Sequence, residues 1–256
     1  MHQRRKNVIS IAGFDPSGGA GILSDIKTFE NLDVCGMGVC TALSVQHEDA
    51  IRKIRWISNE EILDQLEWLL DKYPVSYLKI GLIESLPVLD NLLTEISAKH
   101  AVIKVIWDPI LRSSSGFDFH SHVDKDLVFS ICEKIFVVTP NCMEAMKLMD
   151  EQDGLAAARF MSEKTNVFLK SYTGNKIHCD ILCTGREEVI FETNEMVDAE
   201  KHGSGCVLSA ALTAFLAQEK EVETSCRLAR EYTAAFLKSE EGLLGSHLFS
   251  HSLFNS

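Results

Sequence analysis

Between residues 201 and 206 the chain reads Lys-His-Gly-Ser-Gly-Cys, and an apolar, alanine-rich stretch, 207–217, follows at once. The stretch reads as a buried helix. The glycine turn delivers the chain into that helix's first turn, where backbone N–H groups lack intrahelical partners and the macrodipole adds partial positive charge. Glycines let an oxyanion approach those groups closely, so Gly203, Ser204 and Gly205 suit a phosphate or a developing phosphoryl charge. Cys206 stands where a helix N-terminus lowers a thiol pKa and favours thiolate. Taken alone, the same residues equally suit an ordinary loop before a core helix.

Other polar residues change that balance. Asp15, Gln46, Asp108, Asn141 and Lys170 fall at the ends of expected strands or just beyond them. In a parallel sheet such positions converge on one edge. That edge would hold anion donors, a cationic lysine, carboxylates able to carry Mg²⁺ and a candidate thiolate. Phosphoryl transfer needs this inventory, because its catalysis is mostly positioning and charge stabilisation.

The elements that must position these groups alternate along the chain. Val8–Ala12 reads as a buried strand, Phe14–Gly21 as a glycine-rich loop, and Ile22, Ile26, Phe29 and Leu32 as one helix face. Neither G-x-x-x-x-G-K-[ST] nor G-x-G-x-x-G is present, which disfavours a P-loop and a dinucleotide fingerprint. Strands are expected at 39–45, 54–57, 77–81, 102–107, 135–138 and 167–170. Helices are expected after Ser58, over 86–96, around 123–132 and after Asn141, with Ser58 and Glu61 forming a capping box. An antiparallel hairpin over 177–191 turns at Gly185-Arg186, and a helix at about 222–238 closes the chain. The alternation predicts an α/β fold with a mostly parallel sheet covered on both faces, organised as one domain over 1–256.

Composition excludes several classes. The 256 residues carry a net charge of −12, which argues against a nucleic-acid or anionic-membrane surface but not against a phosphorylated ligand. The eight cysteines form no C-x-x-C pair. No signal h-region and no run of about 18 apolar residues is found, so a cytoplasmic protein with reduced thiols is expected. Spacings at His120/His122 and His247/His251 lack a further ligand for a metal. Trp56, Trp68 and Trp107 are expected in the core.

The segments Ala12-Gly13-Phe14-Asp15-Pro16-Ser17-Gly18-Gly19-Ala20-Gly21 and Asp25-Ile26-Lys27-Thr28-Phe29 closely resemble the opening of hydroxymethylpyrimidine/phosphomethylpyrimidine kinases of thiamine biosynthesis. Lys79-Ile80-Gly81, Asp108-Pro109-Ile110, Ser115-Gly116, Thr139-Pro140-Asn141-Cys142-Met143-Glu144 and His202-Gly203-Ser204-Gly205-Cys206 match that family's later motifs in the same order. The resemblance spans about 8–240. It implies a three-layer α/β/α ribokinase-like fold, ATP- and Mg²⁺-dependent phosphorylation of a hydroxymethyl group, and a homodimer. It further implies that the pyrimidine lies near Gly13, Asp15 and Gln46 with Leu82 and Ile110 against its ring. Cys206 would be the base in an anion hole formed by 203–205. Asp108, Asn141, Glu144 and Lys170 would line the nucleotide side, with Asp108 and Glu144 toward Mg²⁺.

The chain departs from the family pattern at three places. Ser171-Tyr172 replaces the two glycines that usually follow the lysine, Ser113–Ser115 fills a loop where a lysine is common, and Leu82 replaces a methionine. Two other readings stand beside the first: a pyridoxal or pyridoxine kinase, and a non-catalytic pyrimidine-binding paralogue with a degenerate ATP site.

Overall fold

The computed structural model describes residues 5–112, 116, 118–119, 123–174, 177–192 and 201–247. Its strands are β1 (Asn7–Phe14), β2 (Cys35–His47), β3 (Ala50–Trp56), β4 (Val75–Ile80), β5 (Lys104–Trp107), β6 (Val137–Val138), β7 (Asn166–Gly174), β8 (Ile177–Thr184) and β9 (Glu187–Glu192). The helices are α1 (Gly21–Asn31), α2 (Asn59–Leu70), α3 (Leu86–Lys99), α4 (Lys125–Cys132), α5 (Cys142–Met149), α6 (Gly154–Ser162), α7 (Ser204–Ala217) and α8 (Val222–Leu237). The strands form one sheet in the order β3-β2-β1-β4-β5-β6-β7-β8-β9. Neighbours from β2 to β7 run parallel, whereas β3, β8 and β9 are added antiparallel.

The central strands are apolar on both sides, as a sheet covered on both faces requires. In β1, Val8 packs into one helical layer while Ile9 and Ile11 pack into the other; in β5, Ile106 opposes Val105 and Trp107 in the same way. The helices α2 to α6 cover the face that receives Ile9 and Trp107. The opposite face is covered by α1, α7 and α8. Every residue of α7 from Cys206 to Ala217 is buried, so the helix expected to be apolar all round is the centre of that layer. The three-layer α/β/α arrangement read from the sequence is the one observed.

Local signals place the helix starts. Ser58 and Glu61 close the expected capping box at α2. A second box, Asn141 with Glu144, starts α5. The helix α6, capped by Asp153, is an addition to the alternating pattern. Two expectations are corrected. Of the tryptophans expected in the core, Trp56 is only half-buried on the edge strand β3, and Trp68 is 80% exposed because Ile62 and Leu66 define the buried stripe of α2 and residue 68 lies off it. Val102, 85% exposed, lies outside β5, which starts only where pairing with β4 begins at Lys104. Of the histidine pairs, His120, His122 and His251 lie outside the described residues, as do Ser113–Ser115.

His247 is buried against α8, with Nδ1 3.0 Å from the Tyr232 hydroxyl and its ring centroid 4.9 Å from that of Phe236. Burial, reinforced by the Lys27 charge, lowers its pKa to about 4. The folded value lies below the unfolded one, so stability present above about pH 6.5 is lost on acidification at roughly 1.4 kcal/mol per pH unit until the folded pKa is reached. Thermal melts from neutral pH downward should therefore fall less steeply for His247→Phe than for the parent chain. Equal slopes would assign the acid sensitivity to other groups.

Candidate active site

The helices after β1 and β3 leave on opposite faces of the sheet, α1 on one and α2 on the other, so the strand order reverses between β1 and β4. Such a switch point opens a crevice beyond the carboxyl ends of the strands. A cavity of about 1120 Å³ lies there. Its wall follows the sheet: Gln46 from β2, Gly13 from the end of β1 and Asp15 just after it, Leu82 after β4, Asp108 and Ile110 after β5, Asn141 and Glu144 after β6, and Lys170 from β7. Gly203, Ser204, Gly205 and Cys206 line it from α7. Every residue singled out in the sequence for substrate, nucleotide, metal or chemistry therefore meets in one cavity.

The turn is a backbone device. Gly203 is the N-cap of α7 with φ of +77°, the left-handed conformation that glycine adopts without penalty. No side chain caps the helix there; the Ser204 N–H donates to the Lys201 carbonyl at 3.3 Å, which leaves the N–H groups of Gly205 and Cys206, both lining the cavity, as the candidate donors. His202, just before the turn, places Nε2 2.8 Å from Asp15 Oδ2. Asp15 also accepts the backbone N–H of Ser17 at 2.9 Å and of Ala20 at 3.0 Å. Burial opposes ionisation, but hydrogen bonds from His202, Gln46 and Ser17 hold the Asp15 carboxyl well below the usual range. Asp15, assigned to the substrate side in the sequence, lines the cavity. Its oxygens also receive protein donors, tying the glycine loop, the Gln46 amide and the 202–206 turn together.

Two buried ion pairs lie beneath. Lys170 Nζ donates to Asp108 Oδ1 at 2.9 Å, and Thr139 and Ser209 hydroxyls donate to the same carboxylate at 3.2 and 3.1 Å. A methyl on Gly205 would sit 3.4 Å from Lys170 Nζ and 3.8 Å from Asp108 Oδ2, so this pair faces the turn. Burial would lower the Lys170 ammonium, but Asp108 and Glu144 hold it raised. The second pair is Lys79 with Asp25, bonded at 3.0 and 2.9 Å to both carboxylate oxygens, with Ser10 donating to the same group.

Cys206 differs from the sequence expectation. Its sulfur is buried and receives the N–H of Gly21, the first residue of α1, yet burial pushes the thiol up to about 11 against the opposing charge of Lys79. A thiol, not a thiolate, occupies the site near neutral pH.

A model of the phosphomethylpyrimidine kinase family matches residues 15–248. The chain belongs to that family. A hydroxymethylpyrimidine/phosphomethylpyrimidine kinase from Aquifex aeolicus is 27% identical over 244 residues, covering 92% of this chain and 95% of that protein. Among solved structures, a phosphomethylpyrimidine kinase from Clostridium difficile shares the fold at 24% identity, covering 90% of this chain and 98% of that one, with a TM-score of 0.75. An ADP complex of Bacillus subtilis pyridoxal kinase shares it at 24% identity, covering 93% and 94%, with a TM-score of 0.79.

Within the phosphomethylpyrimidine kinase family, the Ser171-Tyr172 departure acquires a structural explanation. Ser171 takes the left-handed conformation at φ of +55°, and its N–H is held by Asp180 Oδ1 at 2.7 Å. The pairing of β7 with β8 shifts register there. Ser171 and Thr173 line the cavity, whereas Tyr172 is partly buried and packs against the apolar core under α2 to α6. The phenol ring, which the sequence alone leaves unplaced, is not part of the cavity wall.

Residues outside the sequence assignments also shape the site. Arg230 of α8 lines the cavity and donates from Nε to Asp180 Oδ2 at 2.6 Å, supporting the carboxylate that holds Ser171. His202, Lys79 and Asp25 were visible as motif residues, but their pairings span 187 and 54 positions and need the topology to be seen. Asn141 and Glu144 carry a local signal that was read only for ligand contact: their N-x-x-E spacing is a capping box.

Proposed function

We propose that this phosphomethylpyrimidine kinase family member transfers the γ-phosphoryl group of ATP to 4-amino-5-hydroxymethyl-2-methylpyrimidine and to its monophosphate. The observation that carries this reading is the convergence of the Asp108–Lys170 pair with the glycine turn in one switch-point cavity. Toward β1 and β2 the cavity is lined by the apolar Leu82 and Ile110 and by the Gln46 amide. An amide pairs a ring nitrogen and an exocyclic amine at once. Toward β6 and β7 the cavity offers Lys170 for the nucleotide phosphates, with Asn141 at the same wall. The N–H groups of Gly205 and Cys206 stabilise charge on the transferred group between the two ends.

The donor set fits Mg²⁺, which usually takes one or two carboxylates and completes its shell with phosphate and water. Burial pushes the Glu144 carboxyl up to about 7 with Lys170 opposing, so an added cation would offset its desolvation. Asp108 and Glu144 would hold the ion, which would supply charge neutralisation on the phosphates. Among the described residues no cluster of three His, Cys, Asp or Glu makes a site without substrate phosphate.

A second reading, pyridoxal phosphorylation, rests on the shape match to the Bacillus subtilis pyridoxal kinase, as close as that to the pyrimidine kinase. ADP release with Mg·ATP and each acceptor separates the two. Faster turnover with the aminopyrimidine supports the first reading, and preference for pyridoxal reverses it. Acceptor binding without any ADP release would sink both.

The protonated thiol makes a further prediction. With Cys206 held near 11, only about one part in 10⁴ is thiolate at pH 7. Cys206→Ala should therefore keep kcat within about tenfold, below the 10²–10⁴ that a working general base supplies. A hundredfold loss, with a parent rate that climbs steadily with pH, would restore the thiolate as base.

A further inference from the structure

The chain beyond α8 returns to the glycine turn. Lys201 is only 6% exposed, and among the described residues its ammonium meets no carboxylate within salt-bridge distance. It donates instead to three backbone carbonyls of the segment 240–244: those of Glu240, of Gly242 at 2.6 Å and of Leu244 at 3.3 Å. Three donors thus meet three acceptors. The next residue adds a fourth tie, since His202 N–H donates to the Leu243 carbonyl at 2.9 Å. From the other side the His202 imidazole is held by Asp15.

The packing is as close as the hydrogen bonding. A methyl on Gly19 would lie 2.7 Å from His202 Cδ2 and 2.8 Å from Leu244 Cδ2, so loop 15–20, residue 202 and the returning segment touch at one point. Residues 241–244 are themselves exposed and contribute little apolar burial of their own. Burying an ammonium is costly, and an apolar side chain would fill the volume more cheaply. The charge is retained for what it holds, and what it holds abuts the anion-binding turn.

We infer that Lys201 is a positioning residue for phosphoryl transfer. By fastening 240–244 along 201–202, and with its own carbonyl accepting the Ser204 N–H at 3.3 Å, it holds the N–H groups of Gly205 and Cys206 at the cavity wall. The inference rests on the proposed role of that turn. Displacement of such donors by about 1 Å costs on the order of 10²-fold in rate, so the effect belongs in kcat rather than in binding at the pyrimidine end.

The test is Lys201→Met, checked for folding by thermal melt. The expected result is a loss of roughly tenfold to hundredfold in kcat, with the KM for the aminopyrimidine little changed. Ammonium or methylammonium chloride should restore part of the rate by re-entering among the three carbonyls, while sodium chloride at equal ionic strength should not. Hydrogen exchange at the amides of 202–206 should accelerate. Should Lys201→Met fail to fold, Lys201→Gln, which keeps two N–H donors, replaces it. Unchanged kcat in the folded variant, or unchanged exchange at 202–206, overturns the inference. A parent chain inactive on every acceptor would instead count against the proposed function, and the exchange measurement would still decide the role of Lys201.

Discussion

Lys79→Met should destabilise the fold by about 3–5 kcal/mol, the usual result of leaving one member of a buried ion pair behind. Lys79 and Asp25 are fully buried, and the ammonium bonds both carboxylate oxygens. Burial would lower the Lys79 pKa, but Asp25 and the nearby Cys206 and Asp108 hold it raised. Without it, Asp25 keeps Ser10 as a donor in an apolar setting, and its carboxyl escapes the cost by taking a proton. The sign of the pH dependence follows. With its folded pKa raised, Asp25 of the variant favours folding at low pH and loses that contribution as pH rises, so the destabilisation grows from acid toward neutral pH. Since domains are stable by only about 5–15 kcal/mol, the single variant approaches the threshold. Urea unfolding at acidic and neutral pH measures it. The double variant Lys79→Met/Asp25→Leu should recover most of the loss, because apolar replacement of a whole buried pair is often neutral. A single variant as stable as the parent at neutral pH would contradict the pairing.

How far the fold was legible depended on how local each cause is. Strand β1, the glycine loop, and α7 were readable because their signals lie within a dozen residues: a β-branched run, turn formers, an apolar helix. The sheet ends were less so. Strand β7 continues to Gly174 although Ser171-Tyr172-Thr173-Gly174 reads locally as a turn, and the cause is Asp180, on the neighbouring strand, holding the Ser171 N–H. Trp68 was assigned by residue type where helical period should have decided, since its position is about 200° around α2 from Leu66. Among site residues, the polar groups at strand ends were found because a parallel sheet gathers them. Their protonation was not legible: the helix terminus favours a Cys206 thiolate, while burial, visible only in the fold, outweighs it. Likewise the partners of Asp15 were not legible: His202 reaches it from the turn before α7 and Gln46 from β2.

The turn itself is tested by Gly203→Ala, which should reduce kcat by about 10³-fold, the upper range for one lost oxyanion donor. Two causes act together. The position needs φ of +77°, which a side chain resists. The added methyl would also collide with the Gly19 carbonyl oxygen and approach Ala20 Cα to 2.8 Å. Those neighbours are backbone of the loop that Asp15 organises, so neither can swing aside as a side chain tip would. Either the turn or the loop must move, and the donors move with it. Gly205→Ala is the informative control. Its methyl would meet the far end of Lys170 at 3.4 Å, in a helical conformation that alanine prefers. It should fold at least as well as the parent and act mainly through crowding of the nucleotide end, raising the KM for ATP. ADP release and thermal melts on both variants separate the causes. If Gly203→Ala retained kcat within tenfold while remaining folded, the backbone of 203–206 would not be the anion hole, and the stabilising charge would have to come from Lys170 instead.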